Sequence, residues 1–106
     1  MKYTLRFIFE YGSPCLWAAD KNTADKFGYS IHCDDLPISQ TLISKIKDLE
    51  KEFQTSLNWE NPLASSLWSS EYKNDFFERA HTIYDKLTIE LGHDFEIINQ
   101  INKSMN

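Results

Sequence analysis

His32, Cys33 and Asp34 stand in succession in GYSIHCDDLPIS, a base, a thiol and a carboxylate, the side-chain types from which a nucleophilic site is assembled. Their spacing works against that use. Neighbours on an extended strand point to opposite faces, so His32 cannot take a proton directly from Cys33 if this stretch is a strand. The pair Asp34 and Asp35 reads either as a carboxylate dyad or as a solvated corner before Pro37, and turns favour Asp for its local hydrogen bonds. Cys15, Cys33, His32, His81 and His93 have the chemistry of metal ligands but not the close CxxC or HxxxH spacing of a zinc site, so no metal is expected. His81 follows Ala80 on a helix and reads as solvent-side, and His93 beside Gly92 reads as a cation near a helix C-terminus. The three glycines, Gly12, Gly28 and Gly92, form no phosphate-cradling loop, and no cofactor is expected.

The segments that position these residues divide by hydrophobic period. In KYTLRFIFEY, Tyr3, Leu5, Phe7, Phe9 and Tyr11 alternate with Lys2, Thr4, Arg6 and Glu10, which is a half-buried strand. Gly12, Ser13 and Pro14 supply a turn, and CLWAAD reads as the hairpin partner. KNTADKF is polar and reads as loop. GYSIHCDD alternates again, with Tyr29, Ile31 and Cys33 on one face, and is expected as a third strand. A helix starts after Ser39, a capping residue preceded by Ile38, which can staple onto Ile43. Its core stripe runs through Leu42, Ile43, Ile46, Leu49, Glu50, Phe53 and Leu57. A second helix begins near Ser69 or Ser70, buries Phe76, Ala80, Ile83, Tyr84, Leu87 and Leu91, and stops at Gly92. DFEIINQI is the last strand, with Phe95, Ile97 and Ile101 on one face. The order β-β-β-α-α-β lacks a repeating βαβ rhythm. It predicts an α+β fold with a mixed or antiparallel sheet of about four strands and two helices on one face.

Two of the three tryptophans, Trp59 and Trp68, lie in SLNWENPLASSLWSSE, the connection between the helices. Either ring can fold back to close the end of the helical core, as large aromatics are mostly buried. Alternatively one ring, flanked by Glu60 and Glu71, stays partly open as an anchor for a partner, since Trp is favoured at interface hot spots.

The 106 residues are the length of one domain, expected to span 1–106, and 42% hydrophobic with 14% aromatic content suffices for a core. No apolar run approaches the ~20 residues of a membrane span, and MKYTLRFIFEY, interrupted by Arg6 and Glu10, lacks the continuous hydrophobic segment expected of a signal peptide. A cytoplasmic protein is therefore expected, with Cys15 and Cys33 as free, buried thiols. Sixteen acidic against eleven basic residues give a net charge of −5 with no basic stripe, which disfavours direct nucleic-acid binding and suits either a soluble protein or one that meets a basic partner.

GSPCLWAAD, GYSIHCDDLPIS, SLNWENP and ELGHDFEI, spread in this order over nearly the whole chain, resemble a group of small bacterial immunity proteins. These accompany polymorphic toxins, including contact-dependent growth inhibition systems. The resemblance implies a non-enzymatic protein, a monomer by itself, that forms a heterodimer with a cognate toxin C-terminal domain and blocks it. Many such toxins are nucleases, some tRNA-cleaving, and an acidic inhibitor would be drawn to their basic surfaces and occlude the active site. On this reading Asp20, Asp34, Asp35, Glu60 and Glu71 are expected at the toxin interface, with Trp59 or Trp68 as apolar anchor. Two other readings stand beside it: a small enzyme or ligand-binding domain using His32, Cys33 and Asp34, and a subunit that dimerises through a strand edge.

Overall fold

The computed structural model describes residues 2–56 and 67–101. Four strands form one mixed sheet: β1 (Tyr3–Phe7), β2 (Leu16–Ala18), β3 (Ser30–Ile31) and β4 (Phe95–Asn99), in the spatial order β3-β2-β1-β4. β1 pairs antiparallel with β2 in the expected hairpin, Leu5 opposite Ala18 and Phe7 opposite Leu16. On its other side β1 pairs parallel with β4, Leu5 opposite Ile97. A parallel pair needs a long crossover, and the two main helices supply it. They are α2 (Gln40–Gln54) and α3 (Ser70–Leu91), and they follow a short helix, α1 (Lys21–Phe27).

The fold is α+β, as expected, but several of the expected elements differ. KNTADKF is helix α1, not loop. Asp20 caps it by accepting the Thr23 N–H at 2.9 Å, and Thr23, Ala24 and Phe27 turn inward on one helical face. Thr23, fully buried, accepts the Thr4 N–H with its Oγ1 at 2.8 Å and so ties α1 to β1. Element order is thus β-β-α-β-α-α-β, with three helices. The third strand is only Ser30–Ile31, because Cys33–Asp35 coils into a 3-10 turn. The alternation anticipated there fails at Tyr29, which is 76% exposed while Ile31 and Cys33 are buried. The first strand stops at Phe7, although Phe9 stays buried, and Tyr11 at the turn is partly exposed. The last strand stops at Asn99, with Ile101 buried beyond it.

The helices bury the stripes their periodicity assigns them. Along α2, Leu42, Ile43, Ile46, Leu49 and Phe53 are buried; along α3, Phe76, Ala80, Ile83, Leu87 and Leu91. Tyr84 is half-buried and donates its hydroxyl to the Ile97 carbonyl at 2.9 Å, joining α3 to β4. Ser39 caps α2 by accepting the Leu42 N–H, and its own N–H and hydroxyl donate to the Glu90 carboxylate of α3 at 2.6 and 2.9 Å. Gly92 ends α3 with a φ of +70°, a left-handed conformation that costs glycine little. Glu50, the one polar residue in the α2 stripe, accepts the Cys15 N–H at 2.8 Å. Leu57, expected to close that stripe, lies outside the described residues.

Facing away from these helices, the sheet presents Thr4, Arg6, Trp17, Glu96 and Ile98. Arg6 lies between Trp17 and Ile98 in the ladder, and the half-buried Trp17 donates its indole N–H to the Ile8 carbonyl at 3.2 Å. Among the described residues no helix is long and apolar enough to cross a membrane.

Candidate functional site

The residues expected at an interface sit on three different elements. Asp20 is spent on capping α1, and the hydrogen bond from Thr23 holds its carboxyl below the ordinary range. Asp34 forms an ion pair with Lys47 of α2 at 2.9 Å, and the exposed Asp35 forms none among the described residues. Glu71 is exposed in the first turn of α3. Trp59 and Glu60 lie outside the described residues.

Trp68 folds back onto the core. Its ring lies 4.9 Å from that of Phe76, 4.6 Å from Tyr72 and 6.4 Å from Phe53, in arrangements favourable for aromatic pairs. The indole N–H donates to Thr55 Oγ1 at 3.1 Å, so the half-buried ring closes the end of the α2–α3 pair. The core-closing reading fits Trp68. Trp17, which the periodicity places in a strand, lies on the open sheet face.

The catalytic alternative loses its nucleophile. Cys33 is 2% exposed and burial pushes its thiol up to about 11, so at neutral pH it is neither ionised nor accessible. Its Sγ–H donates to the Ile43 carbonyl at 3.8 Å, while His32 is exposed at the start of the 3-10 turn. Cys15 is likewise buried, its thiol raised by burial and by Glu50 beside it, and both cysteines are free. Among the described residues no group of three or more His, Cys, Asp or Glu is placed to hold a metal ion. His81, expected on the solvent side, is half-buried, its Nδ1 3.2 Å from Asn99 Nδ2.

What the fold does gather is charge along α3. At 100° per residue, Glu71, Asp75, Glu78, Thr82, Asp85 and Ile89 fall on one face opposite the buried stripe, and all six are exposed. From Glu71 to Asp85 this row extends about 21 Å at 1.5 Å per residue. Glu71, Glu78 and Asp85 form no ion pair among the described residues; Asp75 pairs with Arg79 at 2.9 Å. Asp75, Glu78 and Asp85 lie outside the loops and strand ends where interface carboxylates were expected, yet the same helical period that marks the core stripe also places them on one face.

Between α2 and α3 the row borders a groove of about 320 Å³ with Leu49 and Ile83 in its lining. One end is closed by Arg79, whose Nη1 and Nη2 donate to the two oxygens of Glu52 at 2.8 and 2.7 Å. Tyr72 donates its hydroxyl to the same carboxylate at 2.7 Å. The Arg79 hydrogen bonds hold Glu52 below the usual carboxylate range.

These features define a small α+β protein whose distinctive chemistry is a charged surface rather than a cleft of reactive groups. The sequence matches the family described as Serratia CdiI immunity protein-like over residues 3–100, and the chain belongs to that family, the immunity proteins of contact-dependent growth inhibition. No curated protein matches it.

Proposed function

We propose that this chain binds its cognate toxin domain, a nuclease of the kind that includes tRNA-cleaving enzymes, and neutralises it without catalysis in the cytoplasm by covering its active site. Family membership supports the immunity role. The observation that carries the nuclease reading is the exposed carboxylate row of α3, in a chain whose net charge is −5. A nuclease must present cations to hold a phosphate backbone. The carboxylates of Glu71, Asp75 and Glu78, spaced about 5–6 Å apart at four- and three-residue steps, with Asp85 about two helical turns beyond Glu78, offer those cations a substitute for phosphates. Attraction between such surfaces raises the association rate most at low salt.

The test co-expresses the toxin domain with the chain and scores growth, then measures association of the purified pair at two salt concentrations. Rescue, with an association rate that falls steeply as salt rises, is the expected result. Replacing Glu78 and Asp85 by Lys should slow association at least tenfold at low salt. Growth rescue with unchanged association by that variant would move the toxin to another surface and remove the support for a nuclease.

A further inference from the structure

The groove between α2 and α3 is compensated at one end only. There Arg79 is matched by Glu52 and Asp75. Toward the other end Lys45 of α2 and Lys86 of α3 line the opening, and neither forms an ion pair among the described residues. Asp48, on the same groove, is not paired with them either. The two exposed ammonium groups instead share one opening, one from each helix, and Lys45 holds the Lys86 ammonium below its ordinary value. Two like charges brought together from separate helices repel, and one anion between them would turn that repulsion into two attractions.

The groove is continuous with the acidic row: Thr82 belongs to both, and Lys86 directly follows Asp85. A toxin seated on the row therefore also covers the lysines. To a uniformly cationic toxin surface this spot is repulsive; to one with an acidic side chain at the matching position it is attractive. We propose that Lys45 and Lys86 together receive a carboxylate side chain of the cognate toxin, and that this contact selects among basic toxins which the row alone would attract alike. The inference rests on the toxin-binding reading above. Apolar lining from Leu49 and Ile83 suits a carboxylate carried on a methylene stem better than a free inorganic ion.

The experiment replaces Lys45 and Lys86 by Met, singly and together, and Lys86 by Arg, in the full chain, and measures association and dissociation with the cognate toxin domain alongside thermal midpoints. Each methionine variant should dissociate roughly tenfold faster, as for loss of a charge-assisted contact, with the double variant hardly worse than either single one. Lys86→Arg should retain most of the affinity. Midpoints should hold or rise, since the repulsive contact is gone. Steering by net charge predicts the opposite binding result for the methionine variants, because each loss of a lysine makes the chain more acidic and should tighten a basic partner. Unchanged or tighter binding by the methionine variants, with tight wild-type binding, overturns the lysine assignment alone. A wild-type chain that binds no toxin overturns the toxin reading as well.

Discussion

Replacing Arg79 by Met tests how far the α2–α3 pair depends on its cross-helix clamp. The substitution removes two hydrogen bonds to Glu52, at 2.8 and 2.7 Å, and one to Asp75 at 2.9 Å. It also removes a cation lying 5.8 Å from the centre of the Phe76 ring. Glu52, with 23% of its side chain exposed, keeps the Tyr72 hydroxyl as its one donor across the helices among the described residues. Charge-assisted bonds lie at the upper end of the mutational range, but Arg79 is 42% exposed, and solvent screening reduces the value. The expected loss is about 1–2 kcal/mol, or a fall in thermal midpoint of roughly 5–10 °C for a chain of this size. A double-mutant cycle with Glu52→Gln should return a coupling of about 1 kcal/mol at neutral pH. Because Arg79 holds the Glu52 carboxyl below its unfolded value, the stabilisation is present above the unfolded carboxylate pKa of about 4.3. It is lost as pH falls through the lower folded value. Urea titrations of the four proteins at pH 7 and at successively lower pH measure this. Additive substitutions at pH 7, or a coupling that grows on acidification, would refute the reasoning.

Glu50→Gln should behave in the opposite way. Burial raises the Glu50 carboxyl above its ordinary value, so its ionised form is disfavoured in the fold and stability is lost as pH rises through that raised value. Glutamine still accepts the Cys15 N–H, and the variant should gain a few tenths to about 1 kcal/mol at pH 7, a gain that disappears in acid; denaturant midpoints across pH check it. Thr23→Val keeps the shape but deprives the Thr4 N–H of its acceptor, and chemical denaturation should show a loss of about 1–3 kcal/mol. Cys15 and Cys33, both buried with raised thiols, should resist a thiol reagent in the native chain and react only as it unfolds; prompt labelling without denaturant would contradict their placement.

Hydrophobic period made much of the architecture legible before any coordinates. The stripes of α2 and α3 are strong 3.6-residue signals, Ser39 and Ser69 are capping residues, and Gly92 is a stop, so both long helices stand where the sequence places them. The β1–β2 hairpin was legible for the same reason, because alternation and a Gly-Ser-Pro turn are local properties. Helix α1 was not. Its seven residues offer only Thr23, Ala24 and Phe27 to the core, too short a pattern to stand out, and its register depends on a hydrogen bond from Thr4, nineteen residues earlier.

The chemistry divides along the same line. Composition fixed the excess of acid, and the resemblance carried by short motifs pointed to the family that the match over residues 3–100 establishes. Which carboxylates remain free to meet a partner was decided by tertiary contacts. Asp20 is occupied by a cap and Asp34 by Lys47, whereas Glu78 and Asp85 form no ion pair among the described residues, α3 turning them directly away from its buried face. The fate of the tryptophans also depended on packing: Trp68 is held against Phe53, Tyr72 and Phe76, and Trp17 lies on the sheet's open face. Local periodicity sets which way a side chain points from its own element. Only the docking of elements distant in sequence determines whether it points at water, a counter-ion or a neighbouring ring, as it does in pairing Arg79 with Glu52 and setting Lys45 against Lys86.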